Sequence, residues 1–367
     1  MAIQIKIRRD TKAEWDSADP VLLAGELGFE LKDSATSGRF KIGNGSREWS
    51  RLPFWYAYQD SAGAYGGAGG AAVWYGDRAL SAGGTTSIDL QSIDYFDITT
   101  TGNASDFGDL ALTNHSMGCS GASNSTYGVF GGGRENGGST YVNRIQYVTV
   151  STLSNTSDFG DMTETYGYSS AVSDGTYGLW GGGWNGGYIQ GIDYITIASP
   201  GNASNFGNLS SATYSTMAAG DATYGLFAGG VNTGGLLNVI EYVTMATPSN
   251  TTDFGDLTLA RENGGGAGDG TYATFVGGIN STNRNIIDYV TVATPSNATD
   301  FGDLTQSMRW IGTTGNSTRG VRCGGFDGSS SHNVIDYWTF ATPSNATDLG
   351  DLTDAIRASC ATSGSPS

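Results

Sequence analysis

The sequence predicts an all-β protein, a small N-terminal β module followed by a six-bladed β-propeller, and three observations predict it. The phrase SNATDFGDLT (296–305) has five relatives along the chain, so that a Phe-Gly-Asp-Leu start falls at Phe107, Phe159, Phe206, Phe254, Phe301 and, with Leu in the first place, Leu349. An Ile-x-Tyr triplet begins fourteen residues ahead of each copy, at Ile93, Ile145, Ile192, Ile240, Ile287 and Ile335. A pair of glycines closes an apolar stretch earlier still, as in YGVFGGG and YGLWGGG. Successive copies are 52, 47, 48, 47 and 48 residues apart. A period in the high forties marks four-stranded propeller blades, and no 3.6-residue pattern argues for a helical solenoid.

Each element of the repeat has a physical reason. Runs of small residues such as SSAVSD and NGGGAG predict the innermost strand, narrow because it lines a crowded central channel. The YGVFGGG type predicts the second strand, its glycines permitting close backbone approach between blades. IDYVTV alternates as a third strand does. SNATDFGDL then forms the outer edge and the turn into the next blade, with Asn and Asp capping turns and Phe and Leu filling the space between blades. The phrase reads as a hinge, because packing needs one residue set six times and a single active site does not. Six Asp-ligated calcium sites are the alternative, but carboxylates are sparse in each copy. The last copy is followed by TDAIRASCATSGS, which matches the innermost-strand segments, whereas the first repeat lacks one. A C-terminal strand completing the N-terminal blade therefore closes the ring and removes both sheet edges.

Ahead of the propeller, residues 1–58 read as the small module, 59–72 as a glycine-rich linker and 73–367 as the propeller. IQIKI alternates as a strand, TKAEWDSAD is a short helical or turn stretch, and GELGFELKD with GRFKIGNGS forms a hairpin pair. Fewer than sixty residues make a marginal core, which self-association would complete.

Charge separates the two parts. Residues 1–58 hold nine Lys/Arg and eight Asp/Glu, whereas the rest holds nine arginines, no lysine and 27 acidic residues. A net charge of −17 disfavours nucleic acid and anionic membranes as partners. No apolar run is long enough to span a bilayer and no leader follows Met1, so the expectation is a soluble chain without membrane insertion. Cys119, Cys323 and Cys360 form no even framework and read as reduced, buried thiols.

The phrases IRRDTKAEW (7–15), LLAGELGFE (22–30), FKIGNGSREW (40–49) and LPF (52–54) resemble the N-terminal module of bacteriophage tail-fibre and receptor-binding proteins of the major-tropism-determinant kind. The resemblance implies an intertwined β-structure that assembles as a homotrimer and attaches the protein to other virion proteins. The repeat is similar to kelch repeats in its glycine pair and period, but most copies lack the kelch tryptophan after the tyrosine.

Catalytic chemistry finds little support. Copper needs paired histidines, and His115 and His332 stand in different repeats. Arg78 and Arg319 hold equivalent places before their glycine pairs, which favours a structural role over a sialidase-like arginine cluster. Asn103, Asn155, Asn202, Asn250, Asn297 and Asn345 each begin an Asn-x-Ser/Thr sequon in one register with the hinge, which a turn requirement explains and glycosylation does not. The expectation is a non-enzyme with no cofactor and no metal.

Function is expected where the repeats differ. The segment after the glycine pair varies most, and in a propeller it shares a face with the loop leading into the innermost strand. The candidate ligand-binding residues are Arg134, Tyr141, Trp184, Tyr188, Trp310 and His332. Arg284, and in the lead-in loops His115, Tyr166, Tyr214, Arg261 and Arg357, belong to the same face on this reading. Trp and Tyr among Asn, Ser and Gly suit a sugar, whose ring stacks on an aromatic while small polar groups bond its hydroxyls. The expected role is a virion tail fibre or spike, assembled in the host bacterial cytoplasm, that binds a host-surface glycan or protein. A capsid-decoration or baseplate scaffold without a receptor is the alternative, and a glycan-cleaving enzyme comes third.

Overall fold

The computed structural model describes residues 7–11, 27–31, 39–42, 55–56, 75–111, 121–135 and 140–366. The chain divides into two compact units, Met1–Gly70 and Ala71–Ser367. In the first, Ile7–Thr11 runs parallel to Leu27–Leu31, which pairs antiparallel with Arg39–Ile42, and that strand pairs with Trp55–Tyr56. The predicted hairpin is thus present. The stretch KAEWDSAD, most of IQIKI and residues 59–72 lie outside the described residues.

The second unit is a six-bladed propeller of antiparallel four-stranded sheets, and the described residues contain no helix. Blade 3 shows the plan: Ser170–Ser173 innermost, then Tyr177–Gly181, Gly191–Thr196 and Ser204–Asn208. The innermost strands of all six blades line one narrow channel. Blade 1 takes its innermost strand, Cys360–Gly364, from the C-terminal end of the chain and pairs it with Arg78–Ala82. The ring is closed by the strand that the sequence predicts.

The apolar core is not one mass but a set of wedges between blades. Phe159 and Met162 from the outer strand of blade 2 pack against Ala171, Trp180 and Ile195 of blade 3. Leu349 and Leu352 of blade 6 likewise reach Ala79 and Phe96 of blade 1. Burying each such large side chain contributes about 1.5–3 kcal/mol, so every wedge holds two blades together.

The hinge phrase makes the seam between blades. In blade 2 the amide of Asp161 donates to Asn202 Oδ1 at 3.1 Å, and its carbonyl accepts from the Ala203 amide at 2.8 Å. The same two bonds join Asp109 to Asn155 and Thr156, Asn208 to Asn250 and Thr251, and Asp256 to Asn297 and Ala298. Asp303 with Asn345 and Ala346, and Asp351 with Asn103 and Ala104, complete the circle. These six hinge asparagines therefore spend their side-chain oxygen on the neighbouring blade, which accounts for their fixed register. The glycine of the phrase is there for close approach. A Cβ on Gly160 would lie 2.5 Å from the carbonyl of Gly201.

The middle residue of Ile-x-Tyr forms a second, buried seam. Asp94, Gln146, Asp193, Glu241, Asp288 and Asp336 are all buried. Each accepts from the backbone amide just after the hinge phrase of the preceding blade, at Thr353, Ala111, Thr163, Ser210, Thr258 and Thr305 respectively. Buried charge needs this many partners to be tolerated. Asp288 adds an ion pair with Arg261 at 2.7 Å, and Asp336 one with Arg322. Arg78 and Arg319 also bridge blades, donating to the carbonyls of Val150 and Ile98. Cys323 and Cys360 are buried thiols, and burial pushes the Cys323 thiol up to about 12. Cys119 lies outside the described residues.

Candidate functional site

The lead-in loops described, those of blades 1 and 3 to 6, follow one register. Four residues before the strand stand Tyr166, Thr213, Arg261, Met308 and Ile356, and all are buried. Three residues before stand Gly167, Tyr214, Glu262, Arg309 and Arg357, each bridged to the loop that follows a glycine pair, through Trp184, Val231, Ile279, Phe326 and Thr85. The two kinds of loop do share a face. Two residues before stand Tyr168, Ser215, Asn263, Trp310 and Ala358, each with φ between 53° and 60°. Non-glycine residues rarely adopt this left-handed conformation. Five in equivalent places are held there by a belt of backbone bonds running from blade to blade. Ser215 donates to Tyr168, Asn263 to Ser215, Trp310 to Asn263 and Ala358 to Trp310, at 2.7–3.2 Å. Among the described residues the belt spans five of the six blades at the channel mouth.

Above it lies a cavity of about 400 Å³, lined by Arg134, Tyr141, Tyr168, Trp184, Tyr214, Glu262, Asn263, Ile279, Arg309 and Trp310. This volume suits one small ligand. Blades 2 to 6 all contribute, and every lining side chain is half-buried.

One wall is an aromatic arc. Trp184 meets Tyr188 edge-on with centroids 5.0 Å apart, and Tyr214 at 5.4 Å. Tyr214 meets Tyr168 at 6.0 Å. The Arg134 guanidinium sits 5.1 Å from the Tyr141 ring and 5.6 Å from that of Tyr168, whose hydroxyl accepts from Arg134 Nη1 at 2.6 Å. The opposite wall carries Trp310, stacked on Phe326 at 5.5 Å, with Arg309 4.5 Å from its indole. Arg357 lies 4.7 Å from Phe326 on the same stack.

Removal from water dominates the electrostatics here. Burial raises the Glu262 carboxyl above its ordinary range, opposed by the Arg309 charge. Burial also raises the phenols of Tyr214 and Tyr141, with Glu262 adding to the first and Arg134 opposing the second. Among the described residues Glu262 is the one carboxylate in the lining. Hydrolysis of a glycoside by the usual mechanism takes two, and the described lining supplies one.

Residues 5–47 match the family model of the major tropism determinant N-terminal domain. No curated protein matches the chain. The match takes in IRRDTKAEW, LLAGELGFE and FKIGNGSR, and it stops short of LPF. It falls within the N-terminal unit, so the propeller site is read from its own geometry.

Of the six candidates, Arg134, Tyr141, Trp184 and Trp310 come together in the cavity. Tyr188 stands behind Trp184 and 5.5 Å from Tyr214, supporting the arc. His332 lies apart on blade 6, where Nε2 meets Asp327 Oδ2 at 2.9 Å. Asp327 is held well below the usual carboxylate range, first by the Ser330 amide and then by His332, as in a capped turn. In the wider set Tyr214 lines the cavity, Arg357 joins the Phe326 stack, and Arg284 donates to the Asn280 carbonyl. Tyr166 and Arg261 do not reach the face. Their place in the register points inward, onto Asp193 and Asp288 respectively. His115 lies outside the described residues. Tyr168, Glu262, Asn263 and Arg309 escape a reading that ranks loops by aromatic content. Aligning the repeats on their innermost strands puts all four in the two positions that carry Tyr214 and Trp310.

Proposed function

We propose that this chain is a bacteriophage particle protein that recognises a host-surface glycan through the mouth of its propeller. The observation that carries the reading is the cavity. Its half-buried aromatics and unpaired polar groups converge on the face where the repeats differ. A sugar would stack a ring on the Trp184–Tyr214 arc and place hydroxyls against Asn263, Glu262 and the Tyr168 hydroxyl. The tropism-determinant match at residues 5–47 supports a role in host choice. On this reading the N-terminal unit attaches the protein to the virion as a homotrimer, the propeller faces the cell, and no reaction is catalysed. Three copies per appendage give avidity, so weak single sites suffice.

The test is adsorption competition with the purified full chain, added to host cells before the phage. Saturable inhibition that is lost in Trp184→Ala and Trp310→Ala is expected. No inhibition by folded protein would overturn the reading in favour of a scaffold or decoration role.

A further inference from the structure

The two arginines of the cavity stand in different electrostatic settings. Arg309 lies close enough to Glu262 to oppose the rise of its carboxyl, so on that wall one charge offsets another. Neither Arg134 nor Arg309 forms an ion pair among the described residues, and the Nε of each is out of solvent without a hydrogen-bond partner, but only Arg309 has the Glu262 charge acting on it across the wall. Its neighbour Glu135 is paired with Thr140 one position along the same ribbon, where successive side chains alternate faces, and it is absent from the cavity lining. Arg134 is also held in place. The Tyr141 and Tyr168 rings flank the guanidinium, and the Tyr168 hydroxyl takes one Nη1 proton. Tyr168 is itself fixed by the belt through its carbonyl. A preorganised, uncompensated guanidinium beside an aromatic wall, in a propeller rich in acid, is an anion site facing a sugar platform.

We propose that Arg134 binds the carboxylate of an acidic monosaccharide unit, so that the ligand class is a sugar acid rather than a neutral sugar. This rests on the reading that the cavity takes saccharide. The ring lies on the aromatic arc, and Glu262 Oε2, buried and without a partner, accepts from ring hydroxyls on the far wall. Arg309 keeps that carboxylate tolerable in the cavity. The acidic surface elsewhere then serves selectivity, because polyanions are repelled except where Arg134 meets a single carboxylate.

The test titrates the full chain, followed by tryptophan fluorescence because Trp184 and Trp310 line the cavity. The probes are sodium D-glucuronate, D-galacturonate and N-acetylneuraminate, each beside its methyl ester, taken into the millimolar range. At least one acid is expected to bind about ten-fold more tightly than its ester. Arg134→Gln should abolish that preference and Arg134→Lys should keep part of it, with unchanged melting in both as the folding control. Equal binding of acids and esters would overturn the carboxylate assignment and leave saccharide binding standing. No binding of any probe by a protein that still inhibits adsorption would overturn the sugar-acid class and leave the receptor reading intact. No binding together with no inhibition would remove both.

Discussion

Trp310 and Asn263, on consecutive blades, are joined twice. The Trp310 amide donates to the Asn263 carbonyl at 2.8 Å, and the indole Nε1 donates to Asn263 Oδ1 at 2.9 Å. One bond belongs to the belt and the other to the side chains it displays. The belt thus sets both where the indole stands and how it is turned. Trp310→Phe should cost about 0.5–1.5 kcal/mol, the worth of one hydrogen bond, in denaturant unfolding. Trp310→Ala should lose the stack on Phe326 as well, and with it the inhibition of adsorption, while far-ultraviolet circular dichroism stays that of a β-protein.

The glycine of the hinge phrase is required by the seam and not by the turn alone. A Cβ at Gly160 would run into the backbone of Gly201, whereas one at Gly102 would meet nothing within 4 Å. Gly160→Ala should destabilise by about 1–3 kcal/mol, as overpacking does. Gly102→Ala should change stability by less than about 0.5 kcal/mol. Equal effects in thermal unfolding would refute the close-approach account.

The sequon asparagines can be tested by separating acceptor from amide. Asn202→Asp keeps an oxygen for the Asp161 amide and should leave stability nearly unchanged, while Asn202→Ala should cost about 0.5–1 kcal/mol because the bond is exposed to solvent. Both variants remove the sequon, so a glycosylation role would make them behave alike.

Arg261 should be far more sensitive than the half-buried arginines of the propeller, such as Arg309 and Arg357. It is buried, its pKa is lowered by loss of water, and it donates to Asp288 and to the carbonyls of Gly277 and Phe275. Arg261→Met leaves Asp288 buried with only Thr258 for company and should cost about 3–5 kcal/mol. The pair of substitutions Arg261→Met and Asp288→Leu should recover part of that loss in chemical denaturation.

Asp94 predicts a pH effect of the opposite sign to ordinary acid denaturation. Burial raises its carboxyl above the usual range, against the opposing bonds from Thr353. A carboxyl raised in the folded state favours folding when neutral. Its contribution is complete below the unfolded pKa of about 3.9 and is lost as pH rises through the folded value. Asp94→Asn should therefore gain on the wild type as pH is raised from about 4 toward neutrality, and melting curves across that window would show it. Gln146 already fills the equivalent place in blade 2, accepting from the Ala111 amide at 2.7 Å.

By itself the sequence determined what recurs. Six copies of one phrase set the blade count, the glycine pairs and small-residue runs set strand order, and the displaced segment TDAIRASCATSGS set the closure, because repeated packing leaves a repeated pattern. It also marked the face on which the repeats differ. Tertiary structure alone decided which residues of that face meet. Tyr166 and Tyr168 are two places apart in one loop, yet the first turns inward onto Asp193 and the second lines the cavity beside Arg134. That choice depends on a left-handed turn imposed by backbone bonds from neighbouring blades. Such bonds join residues forty-seven or forty-eight apart, as Asn263 to Trp310, and leave no local trace in the chain.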